Sequence, residues 1–269
     1  MNQPPYLTAL LPARTQQIEP VLSRNAERRW WAFAARVAAG WTLTLVVCVC
    51  LGLLITEALR GSALVRWDRE LPEQIATFRT AAGRAWSSYG SLLGDTLTVV
   101  GVAVLVGIVL LAVRRWASVM LMATALLAEV TIFVASTIVV PRGRPDVNQL
   151  DVSPPTSSFP SGHTAAGTAL MLSLAIIVGW TVRSAVVRSV AWVLAILTAP
   201  IIGISRVYRG MHQPLDVIVG FGLGVACVVV AFVAVRAFVG CNEQLDEAAG
   251  DPSGPRSDGL SHSEPRMAS

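Results

Sequence analysis

The chain of 269 residues contains no lysine; all 21 of its basic residues are arginine. That absence fits a GC-rich coding bias and by itself says nothing about mechanism. Charged side chains of either sign are scarce, at 14% of the sequence. A soluble globular domain carries about a quarter. Together with 54% hydrophobic residues and a mean hydropathy of +0.59, this scarcity excludes an ordinary soluble domain. Cysteine is rare as well, confined to Cys48, Cys50, Cys227 and Cys241. Cys48 and Cys50 have no His or further Cys nearby, which argues against a metal site. The net charge of +4 is spread over tails and loops, with no basic stripe interleaved with aromatics. Nucleic acid is therefore not an expected partner. No cleavable signal peptide is expected, because the first apolar run starts too late and is too long for one.

What remains is apolar sequence cut into runs. The chain is long enough for about six spans of roughly 20 residues. The spacing predicts spans over about 37–59, 89–113, 116–140, 164–182, 190–204 and 215–238. The expected fold is all-α: a polytopic membrane bundle of about six transmembrane helices. Residues 1–36 read as a polar cytoplasmic segment, with Trp30 and Trp31 at headgroup level. The mixed-charge connection 61–85 reads as an interfacial or amphipathic helix. Residues 239–269, rich in Gly, Pro, Ser and acids, are expected to be disordered. Asp95 and Glu129 fall inside predicted spans, where an ionisable group is costly and should turn to the bundle interior. A buried structural hydrogen bond is the leading reading for both, coupling to a site the alternative.

Arginine placement sets the orientation. Arg28, Arg29 and Arg36, Arg114 and Arg115, Arg183 and Arg188, and Arg236 all fall on one side of a six-span chain. The positive-inside rule makes that side cytoplasmic, although the connection 61–85 carries arginines of its own. Three polar clusters then lie on the outer face of the cell membrane, around Arg144, His163 and His212.

These clusters hold two of the three histidines; the third, His262, lies near the end of the chain. In His212-Gln213-Pro214-Leu215-Asp216, Pro214 suits the first turn of a helix. Asp216 then falls where a carboxylate can fix the imidazole tautomer and raise its basicity, as a nucleophilic His requires. A helix-capping Asp beside an interfacial His is the competing reading. In Pro160-Ser161-Gly162-His163, Gly162 allows close backbone approach and Ser161 stands at a helix N-terminus, a ready phosphate site. His163 is a candidate general acid; a plain Ser N-cap is the competing reading. Arg142, Arg144, Arg206 and Arg209 supply forks that match phosphate oxygens. The combination points to phosphoryl transfer in which Arg and backbone dipoles replace a metal ion, so no metal or other cofactor is expected.

Arg144-Pro145, Pro160-Ser161-Gly162-His163, and Ser205-Arg206 followed by His212 and Asp216 resemble the three-part signature of the type 2 phosphatidic acid phosphatase superfamily. That superfamily includes membrane lipid phosphatases and vanadium haloperoxidases. The resemblance implies a helical core with a phosphatase/haloperoxidase-like site across 37–238. It implies His212 as the nucleophile forming a phosphohistidine, Asp216 orienting it and His163 as the acid. Arg144, Ser161, Gly162 and Arg206 would bind phosphate. One departure is visible: the family's first motif opens with a Lys, and Thr137 stands there. Arg142 is the expected substitute for that charge.

The expected substrate is a membrane lipid phosphate, with a prenyl pyrophosphate such as undecaprenyl pyrophosphate first. Phosphatidic acid or phosphatidylglycerol phosphate is the alternative. Two other classes share the constellation: a vanadate-dependent haloperoxidase, which the apolar spans argue against, and a non-catalytic lipid binder or transporter. Oligomeric state has no signal in the sequence.

Overall fold

The computed structural model describes residues 13–153 and 155–250, with side chains described between 27 and 240. Among the described residues there are only helices and connections. The first helix, α1, spans Ala13–Leu53 and ends in a π-helical turn, Leu54–Ala58. Then come α2 (Ala63–Thr77), α3 (Ala81–Leu92), α4 (Thr96–Ala112), α5 (Trp116–Val139), α6 (Gly162–Thr181), α7 (Ala185–Tyr208) and α8 (Pro214–Gly250).

Five stretches are long and apolar enough to cross a membrane: Glu27–Ala58, Trp116–Val139, Gly162–Thr181, Ala185–Tyr208 and Pro214–Gly240. Taken together as one bent span, α3 and α4 make a sixth crossing, with a 40° bend. Large apolar side chains on these helices point outward, among them Leu97, Leu105, Ile138 and Ile204. Water would penalise that surface and a bilayer does not. The protein is a multi-pass membrane bundle. Its centre is α8, which packs on α1, α5 and α6, while α6 also packs on α7.

The predicted second span, 89–113, is interrupted. Leu93-Gly94-Asp95 separates α3 from α4, and Asp95 caps α4 by accepting a hydrogen bond from the Leu97 N–H at 3.0 Å. A Gly followed by a capping Asp is a stop-and-start signal inside an apolar run. The break has no room for a side chain at position 94: a Cβ on Gly94 would lie 2.3 Å from the His163 carbonyl oxygen. The connection between the first two spans forms two helices where one was expected. Ser62 caps α2 and Thr80 caps α3 through their hydroxyls.

Two further boundaries differ from expectation. The fifth span extends four residues past Ile204, so Ser205 and Arg206 occupy the last turn of α7 and not a loop. The helix α8 runs on to Gly250, so the start of the segment 239–269 is helical. Its Glu, Gln, Leu and Ala residues favour helix. The remainder, 251–269, lies outside the described residues, as does 1–12.

Candidate active site

Four helix ends meet at one end of the bundle: the C-termini of α5 and α7 and the N-termini of α6 and α8. The segment 140–161, between α5 and α6, folds across them. Its Ser158 N–H donates to the Arg142 carbonyl at 2.9 Å and its Leu150 N–H donates to the Arg209 carbonyl at 3.0 Å. The Ser161 N–H donates to the Asp216 carbonyl at 3.0 Å, which ties the start of α6 to the first turn of α8.

His212 is buried between these pieces. Its Nδ1 lies 2.8 Å from the Ser158 carbonyl oxygen. A carbonyl only accepts, so Nδ1 carries the proton and Nε2 keeps its lone pair. Asp216, expected to fill this role, has Oδ2 3.8 Å from Nδ1, beyond hydrogen-bond range. Its carboxylate instead accepts from the Gln213 N–H at 3.0 Å and pairs with Arg142 Nε at 2.9 Å. The backbone orients the imidazole, and Asp216 contributes charge at slightly longer range. Burial pushes the His212 pKa below its ordinary value, with Asp216 opposing that shift. The imidazole is thus neutral at neutral pH, the state in which its Nε2 can attack.

His163, the second residue of α6, is partly exposed and lines the same cavity as His212. That cavity has a volume of about 700 Å³. Its polar end is formed by Arg144, Gly162, His163, Arg206 and His212. From there it continues between α4 and α5 along Val99, Val100, Ala103, Met122, Leu126 and Phe133.

Two arginines face the polar end. Arg144 donates from Nη1 to the Met211 carbonyl at 2.8 Å, and its Nε has no protein acceptor among the described residues. Arg206 donates from Nη1 to Ser91 Oγ at 2.8 Å and to Asp151 Oδ2 at 2.9 Å, and its Nε also lacks an acceptor. Asp151 bridges Arg206 to Arg209, which donates from Nε at 2.8 Å and from Nη2. That hydrogen bond from Arg209 holds the Asp151 carboxyl below the usual carboxylate range. Two guanidinium groups whose buried Nε atoms have no acceptor among the described residues, beside two imidazoles, suit a tetrahedral anion.

Not every predicted residue reaches this space. Arg142 is buried and already engaged: Nε donates to Gln213 Oε1 at 2.6 Å, and Nη2 pairs with Asp68 on α2. It belongs to a chain of alternating charges, Asp68–Arg142–Asp216, which Asp68 completes by accepting from the Leu215 N–H at 2.7 Å. The expected charge substitution for Thr137 therefore lies behind His212, and Thr137 itself donates to the Val134 carbonyl. Ser161 is fully buried and its hydroxyl shares a hydrogen bond with the Thr164 hydroxyl at 3.0 Å. Gly162 lines the cavity, and the Phe133 ring occupies the place where its side chain would stand, 2.8 Å from an added Cβ.

Glu129 is buried, as expected of an intramembrane carboxyl, but makes no structural hydrogen bond among the described residues. It lines the apolar part of the cavity, one helical turn below Phe133. Sequence reasoning missed Ser158, Asp68 and Asp151. A backbone carbonyl has no residue signature, and the two acids come from segments whose partners are 55 to 74 residues away.

The chain is similar to known proteins in sequence and in fold. A curated relative described as an undecaprenyl-diphosphatase, from Sulfolobus acidocaldarius, is 39% identical over 80 residues, 28% of this chain. The aligned region spans 32% of that relative's length. The crystal structure of a transmembrane PAP2-type phosphatidylglycerolphosphate phosphatase from Bacillus subtilis superposes with a TM-score of 0.61 at 21% identity. It covers 76% of this chain and 96% of the other, a likeness of fold. LpxE from Aquifex aeolicus superposes with a TM-score of 0.48 at 25% identity, covering 61% of this chain and 93% of LpxE. The sequence pattern of the PAP2 superfamily matches residues 41–239, most of the chain and every residue of the cavity. The chain belongs to the PAP2 superfamily.

Proposed function

We propose that the protein is an integral-membrane phosphatase of lipid phosphates that works through a phosphohistidine on His212. The observation that carries this reading is the meeting of His163, His212, Arg144 and Arg206 at the head of one cavity whose walls between α4 and α5 are mostly apolar, with Glu129 among them. The phosphate occupies the polar head while the hydrocarbon lies between α4 and α5.

His212 Nε2 attacks phosphorus while Nδ1–H stays on the Ser158 carbonyl. The new N–P bond forms as the P–O bond to the leaving group breaks. That oxygen departs with a proton from His163, as a prenyl monophosphate or, from a glycerolipid phosphate, as the lipid alcohol. His163, now neutral, takes a proton from water, which attacks the phosphohistidine and releases inorganic phosphate. Arg144 and Arg206 hold the equatorial oxygens through both steps. Asp216 stabilises the charge that develops on the His212 ring. The head lies on the outer face of the membrane by the arginine asymmetry described above.

A prenyl diphosphate is the first substrate, a choice supported by the description of the Sulfolobus acidocaldarius relative. The second is a glycerolipid phosphate, favoured by Glu129. A carboxyl about 6 Å below Phe133, from the 1.5 Å rise per residue, suits an ester carbonyl beneath the phosphate. A prenyl chain offers nothing polar there. Glu129→Leu should lower the rate on a diacylglycerol phosphate relative to a prenyl diphosphate by about fivefold. That ratio corresponds to one hydrogen bond of about 1 kcal/mol. An unchanged ratio removes the support for the second substrate.

The direct test is purified protein in detergent with prenyl diphosphate, phosphatidic acid and phosphatidylglycerol phosphate, in the presence of a chelator. Phosphate release from at least one of them is expected. No release from any of them contradicts the proposal.

A further inference from the structure

We propose that Asp95 is the positioning residue of His163: its carboxylate accepts the Nε2 proton of that imidazole and leaves the other ring nitrogen for the departing lipid oxygen. This rests on the reading of His163 as the general acid.

Three observations place Asp95 for this task. The break between α3 and α4 is held hard against the start of α6, because Gly94 admits no Cβ beside the His163 carbonyl. The Asp95 carboxylate is then anchored at one oxygen, Oδ2, by the Leu97 N–H at 3.0 Å. The other oxygen, Oδ1, lies 3.9 Å from His163 Nε2. That separation exceeds a hydrogen bond, and catalytic pairs of this kind tighten when substrate fills the site.

The charges around His163 single out Asp95 among the acids. Arg206 from α7 and His212 from the connection to α8 line the same cavity as His163. Two carboxylates stand on this side of the bundle, Asp151 from the segment 140–161, bonded to Arg206, and Asp95 from the helix break, 3.9 Å from His163. Asp151 is committed to Arg206 and Arg209. Asp95 has no arginine partner among the described residues, so its charge acts on His163. A bent span thus serves the chemistry: a continuous helix through 93–95 would leave no capping carboxylate at this height.

Asp95→Asn tests this without loss of the cap, since Asn and Asp cap helices about equally well. The variant should keep the thermal stability of the wild type. Its kcat on phosphatidic acid, whose leaving alkoxide is poor, should fall about tenfold, part of the hundredfold or more that a general acid contributes. The loss on an activated aryl phosphate should be much smaller, with KM unchanged. The basic limb of the kcat–pH profile should move to lower pH, because the charged imidazole has lost its carboxylate. Asp95→Ser, which also caps but carries no charge, should behave the same way. Equal losses on both substrates with an unmoved pH profile would make Asp95 merely structural and overturn the proposal. So would wild-type rates in both variants. If wild type turns over lipid phosphate and His163→Ala loses it selectively, either result sinks the role of Asp95 alone. If wild type releases no phosphate, the acid role and this inference fall together.

Discussion

His212→Ala is expected to abolish phosphate release from lipid substrate, a loss of at least about a thousandfold in kcat. No other side chain at the head of the cavity can take over the attack. The Ser161 hydroxyl is buried against Thr164, and His163 faces Asp95 across the mouth of α6. The variant removes a buried imidazole that satisfies the Ser158 carbonyl, and leaving that acceptor unpaired costs about 1–3 kcal/mol. A companion variant separates folding from chemistry. His212→Asn keeps a donor for the carbonyl and has no nucleophilic nitrogen, so it should fold like wild type and be equally inactive. Assay of both variants beside wild type for phosphate release, with thermal unfolding measured on the same samples, checks the expectation. Activity retained in either one contradicts the assignment.

His163→Ala is expected to produce the second largest effect, and its size should depend on the substrate. On a glycerolipid monophosphate such as phosphatidic acid the leaving group is an alkoxide, which is poor and needs its proton during departure. Loss of the acid should lower that rate about a hundredfold to ten-thousandfold. An activated aryl phosphate leaves readily as the anion, so the loss there should be far smaller. The position of the residue makes this a clean experiment. The side chain is partly exposed to the cavity and makes no close hydrogen bond, so removal should disturb packing little. Comparison of kcat for lipid and aryl substrates in wild type and variant decides the matter. Equal losses on both would show that His163 binds or supports the phosphate without protonating anything.

The residues that met at the cavity head were legible in the sequence because their spacing is local. Ser-Gly-His at a helix start, and His and Asp four residues apart across Pro214, each describe a single turn of chain. Periodicity and apolar runs likewise gave the bundle. What escaped was long-range or carried by the backbone. The partner of His212 Nδ1 is a carbonyl 54 residues away, and any residue type at position 158 would supply one. Asp216 looked like that partner because i and i+4 residues share a helix face, yet His212 precedes the helix and the carboxylate turns to Gln213 and Arg142. Arg142 is expected at the phosphate in place of the family's Lys, and the partner that holds it elsewhere, Asp68, lies 74 residues earlier on a different helix. The end of α7 lies past the predicted span 190–204 because its polar residues, which face the site, interrupt the apolar run. Asp95 is the instructive case. Gly94-Asp95-Thr96 is a helix stop followed by a helix start, and the surrounding hydropathy masked it.

The central claim is that two imidazoles share one phosphate, with His212 bonded to it during turnover. Quenching the protein in the act of hydrolysing lipid phosphate, then locating phosphate on its peptides by mass spectrometry under alkaline conditions, tests this most directly. Phosphate is expected on His212 in wild type and on no residue in His212→Ala. Steady turnover with phosphate on a different residue, or with none on the protein at any time, would contradict it.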